Sequence, residues 1–226
     1  QASYFSSSWD ASGQIPESAV ENEIISRFGA IDDTEGGQTD RTNISLNLQS
    51  ILKDNLTLEN QVYYSNYNFT LFSNFTFFLE DTINGDRIKQ QEFRNLFGSQ
   101  TQLSWKKQKN QYKSNTLFGL GFRQDLTTGS ELSHVADREI TLEKYAFGDV
   151  EETNLFAFVK EEINYRKWNF SIGLRYDVFR FRYNNLKENT DDQKWAQTIN
   201  PKLNIAYNFS NINGYSTLLR GNYVNR

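Results

Sequence analysis

The stretch Trp168 to Tyr183, WNFSIGLRYDVFRFRY, alternates apolar and polar residues. Trp168, Phe170, Ile172, Leu174, Tyr176 and Val178 fall on one face, and Asn169, Ser171, Gly173, Arg175 and Asp177 on the other, because strand side chains alternate sides. An apolar row with aromatic ends, opposite an arginine and an aspartate, fits a membrane-spanning barrel strand better than a strand of a soluble sandwich. The same period recurs along the chain. Ile44, Leu46 and Leu48 oppose Asn43, Ser45 and Asn47; Phe118, Leu120 and Phe122 oppose Gly119, Gly121 and Arg123; Leu203, Ile205 and Tyr207 oppose Lys202, Asn204 and Ala206.

About nine strands are predicted, and their connections alternate in length. Short links fall near 53, 108, 166 and 212, and long ones at 9–40, 80–92, 126–153 and 184–197. Short turns at one end and long loops at the other are the asymmetry of outer-membrane barrels, whose periplasmic turns are short and extracellular loops long. The fold class predicted is therefore all-β, an antiparallel transmembrane β-barrel. An odd number of strands and a pattern that stops midway predict an incomplete barrel, a fragment of a longer protein.

Four local expectations accompany this reading. Pro16 to Ile25 forms a short helix capped by Ser18. The apolar face of Leu56 to Leu79 switches between Tyr64 and Tyr67, which predicts a bulge or the point where the strand leaves the membrane. Glu161 falls in the outward row of Leu155, Ala157, Val159, Ile163 and Tyr165, which calls for a bulge or an interfacial position. Pro201 sits at the start of its strand, where a missing donor is tolerated.

Composition sharpens the class. No window holds the ~18 apolar residues of a transmembrane helix, and a mean hydropathy of -0.70 suits barrel strands, in which every second residue faces water. The 226 residues include 18 Phe, 12 Tyr and 4 Trp, the excess expected of strands and aromatic girdles. A net charge of -4 and pI of 5.2 disfavour a nucleic-acid partner. With no cysteine there is neither a disulfide scaffold nor a thiolate metal site. With no methionine and Gln1 at the start, the chain reads as processed or as an internal piece.

The stretches YFSSSWDASGQIPESAV, ISRFGAID and GGQTDRTNISLNL resemble the barrel region of TonB-dependent outer-membrane receptors, as do LFGLGFRQD, LRYDVFRF and NPKLNIAYNFS. The resemblance covers most of the chain and is carried by strand style. It implies a 22-stranded barrel in the outer membrane of a Gram-negative bacterium, surrounded by lipid and filled by an N-terminal plug domain. It also implies energy drawn through the TonB complex, and a small-molecule ligand such as a metal chelate, by default a ferric siderophore. Neither a plug nor a TonB box lies within residues 1–226. The alternatives are a passive porin-like barrel and a soluble all-β binding module.

Ligand contact is assigned to Arg94, Arg123 and Arg175, which fall on lumen faces and whose guanidinium forks suit an anionic chelate, and to the aromatic residues Trp9 and Trp195. The competing reading pairs the arginines with lumen carboxylates such as Asp177 or with a plug. The loop aromatics Phe75, Phe77 and Phe78 either pack on a ligand or fold the loops together. Trp105, Tyr112, Tyr165, Trp168, Phe209 and Tyr215 adjoin short turns and form a periplasmic girdle. His134 near Asp137 is the sole hint of hydrolytic chemistry, and a single loop histidine favours no enzyme. The acidic groups Glu80–Asp86 and Asp32–Glu35 lack calcium-loop spacing, and no cofactor is expected. Six Asn-x-Ser/Thr triplets follow from polar–apolar alternation itself and assign nothing.

Overall fold

Backbone pairing dictates the architecture. The computed structural model describes the backbone of residues 1–212 and 215–224 and the side chains of residues 1–208. Nine strands run as a single antiparallel sheet in chain order. They are β1 (Ala2–Asp10), β2 (Gly36–Lys53), β3 (Leu56–Ser73), β4 (Ile88–Lys109) and β5 (Tyr112–Ala136), followed by β6 (Ile140–Tyr165), β7 (Trp168–Asn185), β8 (Thr190–Ile212) and β9 (Tyr215–Val224). Each strand pairs with its neighbours in sequence, and β1 and β9 are the edges. The sheet is thus an open length of barrel wall, as the alternation predicted.

Register converts the alternation of single strands into continuous bands. Leu58, Leu103, Phe118, Val159, Leu174 and Pro201 stand directly opposite one another from β3 to β8, forming an apolar row. The next face over carries Tyr63, Gly98, Arg123, Asn154 and Phe179 in register. Burial is inverted relative to a soluble domain. Among the described residues only Phe72 and Val135 are buried apolar side chains, whereas Asp125, Asn154 and Asp177 are buried, and Leu120, Leu155 and Ile172 are more than half exposed. The apolar rows need lipid, and the polar face lines the lumen.

The turns obey the predicted asymmetry at one end. Asp54–Asn55, Asn110–Gln111 and Arg166–Lys167 link strands in two residues; the fourth predicted turn, near 212, lies outside the described residues. Asn110 and Arg166 adopt φ of 51° and 52°, the left-handed region that such tight hairpins require.

The opposite end differs from expectation. The long connections are 11–35 and 74–87, whereas 126–153 is largely strand: β5 continues to Ala136 and β6 begins at Ile140. Likewise the link expected at 184–197 shrinks to 186–189. Above the membrane both faces of a strand meet water, so polar residues are admitted on both faces and the two-residue period fades while pairing continues. At 25 and 26 residues, β5 and β6 far exceed the ~10 residues needed to cross lipid, and their upper halves project beyond it.

The local expectations resolve in the same way. The helix, α1, spans only Glu17–Glu21, with Pro16 at its N-cap, and Ser18 lies inside it and caps nothing. Neither the β2–β3 nor the β3–β4 register shifts between Leu58 and Phe72, so the phase switch is no bulge: Tyr67, Phe69 and Leu71 face the lumen where the outer face leaves the lipid. Pro201 lies inside β8 opposite Leu174, because the polar segment before it is strand as well.

Glu161 remains in the outward row. No register shift interrupts β6–β7 anywhere or β5–β6 below Thr127, and Glu161 stands between Thr116 and Ile172. The Thr116 hydroxyl donates to its carboxylate at 2.5 Å. One neutral donor offsets part of the cost of a carboxylate on the lipid side. In the complete barrel, the double substitution Glu161→Leu/Thr116→Val is therefore expected to raise denaturant stability in lipid vesicles by about 1 kcal/mol, measured by reversible unfolding. A loss of stability would show that this site is not lipid-facing.

Candidate functional site

The lumen wall concentrates the chemistry in one belt. Arg94 on β4 grips Asp125 on β5 with both ends of its fork, Nε to Oδ1 at 2.7 Å and Nη2 to Oδ2 at 2.5 Å. Arg123, two residues along β5 and so on the same face, adds Nη2 to Oδ2 at 3.1 Å. The pattern repeats on β7: Arg175 holds Asp177 through Nε (2.8 Å) and Nη2 (2.7 Å), and Asn154 on β6 donates to Asp177 at 3.2 Å. Since Asn154 stands opposite Arg123, the two clusters adjoin.

Within each cluster the two charges are not equally accessible. Asp125 and Asp177 are each 4% exposed. The Arg94, Arg123 and Arg175 side chains keep 40%, 42% and 37% of their surface open. The aspartates therefore lie beneath and orient the guanidinium groups, whose remaining surface faces the lumen; Arg123 Nε itself is buried and has no hydrogen-bond partner among the described residues.

Aromatic rings extend the belt on both sides. Arg175 lies 3.8 Å from the centroid of Phe156, and Phe156 and Phe158 stack at 6.5 Å. These rings lie against Gly121 and Gly119, where an added Cβ would come within 2.3 Å of them. On the other side Tyr67 stands opposite Arg94, stacks on Phe69 at 6.1 Å, and Phe69 meets Trp9 at 6.4 Å. A cleft of about 560 Å³ opens beside Tyr67, Phe69, Gln90 and Glu92, and another of about 420 Å³ lies at Gly173 beside Arg175, Lys160 and Lys202.

Of the residues predicted from sequence, the structure joins Trp9, Arg94, Arg123 and Arg175 along this belt. Trp9 belongs to β1, on the lumen face, and not to a loop. Trp195 is elsewhere: it lies in β8 opposite Arg180, on the outward row, because β8 starts before it. Asp125, Asn154, Tyr67 and the Phe156–Phe158 pair escaped sequence reading as site residues. One signal was present, since Arg-x-Asp occurs at 123–125 and 175–177, and a spacing of two places both side chains on one face of a strand.

The long connections fold onto one another. Arg87 meets Asp32 at 2.5 Å, with both side chains only 9% exposed, and lies 3.8 Å from Asp137 at the β5–β6 tip. Arg138 donates to the carbonyls of Thr34 (2.7 Å) and Glu35 (2.9 Å) and to Asp10 (2.8 Å), and Asn74 donates to Asp32 (2.8 Å) and Glu35 (3.1 Å). The acidic loop groups serve the loops themselves: Asp86 accepts the N–H groups of Leu79, Glu80 and Asp81, and Asp81 those of Ile83 and Asn84. His134 Nε2 is likewise tied to the Gly85 carbonyl at 2.6 Å.

Burial raises the Asp32 carboxyl, but hydrogen bonds from Asn74, Thr34 and Arg87 outweigh it and bring the group down to about 2. Burial pushes Glu35 up, against the N–H of Asn74. Asp32, depressed when folded, stabilises the loop cluster above the ordinary carboxylate range near pH ~4, and that stabilisation is lost as pH falls toward about 2. Glu35 acts in the opposite sense, its contribution fading as pH rises through its raised value. At neutral pH, amide hydrogen exchange in the 11–35 connection is expected to be faster in Asp32→Asn than in the wild type, because removing one partner of a buried pair costs about 3 kcal/mol. Hydrogen exchange in the 11–35 loop is expected to loosen between about pH 4 and 2 in the wild type only.

Three comparisons with known proteins bear on this geometry. The family described as "TonB dependent receptor-like, beta-barrel" matches residues 2–225. No curated protein matches. Among solved structures, the unliganded ferric citrate transporter FecA is similar with a TM-score of 0.76 at 13% identity, over 92% of this chain and 30% of that one. The ferric-catecholate import receptor Fiu of E. coli K12 is similar in its closed form with a TM-score of 0.57 at 11% identity, over 88% of this chain and 35% of that one. Its open form gives 0.56 at 12%, over 87% and 38%. The chain thus spans about a third of the length of these receptors, and at such identities the likeness is one of fold. The alternating wall, its short-turned end and the match over nearly every residue place the chain in the TonB-dependent receptor-like β-barrel family, a family of outer-membrane receptors and transporters.

Proposed function

We propose that this wall belongs to an outer-membrane receptor that imports an anionic metal chelate, a ferric siderophore or carboxylate chelate, with energy supplied through TonB. The observation that carries the proposal is the set of three lumen arginines held over buried aspartates with their guanidinium faces open. A cation already oriented by its own carboxylate binds an anion without first losing side-chain freedom. The adjoining Trp9–Phe69–Tyr67 patch supplies flat apolar surface for a chelator's aromatic or aliphatic frame. Family membership supports transport as the outcome of binding, and FecA and Fiu, which handle ferric citrate and ferric catecholates, support the choice of chelate.

Arg94 and Arg123 share Asp125, so they are tested together. Arg94→Gln/Arg123→Gln in the complete receptor is expected to weaken chelate binding roughly 10- to 100-fold, the loss of one or two charge-assisted hydrogen bonds. Trp195→Ala, on the outward row, is expected to leave binding unchanged. Equilibrium binding of radiolabelled ferric chelates to isolated outer membranes measures both, and equal affinity for the double variant and the wild type would refute the assignment of the arginines. Uptake by whole cells is expected to stop when the inner-membrane proton gradient is collapsed, while binding persists. Continued uptake would favour the passive porin.

A further inference from the structure

The short-turned end carries a charge pattern opposite to that of the chain as a whole. Residues 105–114, WKKQKNQYKS, hold four lysines and no acid, and Arg166–Lys167 form the next turn, whereas the 11–35 connection holds six carboxylates and one arginine. The net charge of -4 therefore conceals a cationic periplasmic rim and an acidic extracellular one.

At that rim the register lines up Lys109, Tyr112, Tyr165, Trp168 and Tyr207 in one outward row across β4 to β8. Sequence reasoning predicted the aromatic part of this girdle from Tyr112, Tyr165 and Trp168; the side chains of Phe209 and Tyr215 lie outside the described residues. The row ends in a concavity of about 630 Å³ lined by Lys109, Asn110, Gln111, Tyr112, Tyr165 and Arg166. Its two cations are exposed, and neither is in an ion pair among the described residues. Arg166 is instead aimed, by Nε to Gln111 Oε1 at 2.8 Å and by packing 5.3 Å from the Tyr165 ring centroid. Arginine at φ 52° is unfavourable, so the turn holds a bulky cation where glycine or asparagine fits better.

We infer that this rim concavity is a binding site for an anionic phospholipid of the inner leaflet, with its phosphate between Lys109 and Arg166. The amides and phenols surrounding the cations are donors suited to phosphate and glycerol oxygens. Above the concavity the outward row runs from Lys107 and Ser114 to the apolar Ile163 and Phe170, and the face is apolar on all four strands at Leu103, Phe118, Val159 and Leu174, where the acyl chains run. Headgroup contact and chain contact are thus met on one surface, as a lipid requires and a free anion does not.

The test is native mass spectrometry of the complete receptor released from detergent in the presence of phosphatidylglycerol or phosphatidylcholine. Retained phosphatidylglycerol is expected to exceed phosphatidylcholine, and Lys109→Gln/Arg166→Gln is expected to weaken its retention roughly 30-fold, from the loss of two cations near a headgroup. Lys109→Arg/Arg166→Lys keeps the charge and is expected to retain the lipid; heat-modifiable electrophoretic mobility reports that each variant is folded. Equal retention of the two lipids, unchanged retention in the glutamine variant, or displacement of phosphatidylglycerol by an equal concentration of inorganic phosphate would overturn the inference.

Discussion

The hydrogen-bonded ladder between adjacent strands is the constraint on which everything else in this wall rests. Lipid offers no partner to a backbone N–H or C=O, so each spanning strand must satisfy its groups on its neighbours. From Gly148 to Tyr165, β6 pairs with β7 without a single shift. Unbroken pairing leaves side chains no choice of face: a residue's parity assigns it to lipid or lumen. Irregularities are relegated to where water is available. The β5–β6 register slips only between Thr127 and Val135, in the projecting hairpin, and the β4–β5 register between Gln91 and Phe93.

That rigidity is what permits charge in the lumen wall. An aspartate buried to 4% exposure is costly alone, yet Asp125 and Asp177 each receive a two-pronged guanidinium from a backbone position fixed by pairing. The short Arg-x-Asp spacing supplies one partner from the same strand, and the neighbouring strand supplies the next: Arg94 for Asp125, Asn154 for Asp177. The long connections use the same logic without a ladder. There Arg87 and Arg138, reaching from different parts of the chain, tie 11–35 and the β5–β6 tip together.

Where lipid touches the protein, the sequence was transparent; where water touches both faces, it was not. The Trp168–Val178 row declared its strand and its two faces because lipid selects apolar residues at every second position. Segments 126–153 and 184–197 carry polar residues on both faces, so their strands were mistaken for loops, and Trp195 was taken for a loop aromatic although it lies in β8. The lumen arginines were placed correctly by parity alone. Their partners were less visible, because Arg94–Asp125 joins residues 31 apart and depends on a pairing register that a single sequence does not specify.

The glycines of β5 bear on how this wall responds to change. Gly119 and Gly121 lack the side chains that would prop Phe158 and Phe156 away from the sheet, and Phe156 in turn carries Arg175 of the next strand on its face. Three strands are thereby geared together through ring contacts, independently of their hydrogen bonds. A methyl group introduced on β5 would be transmitted as a displacement of charge on β7, so the electrostatic profile of the lumen is set partly by residues that carry no charge and no side chain.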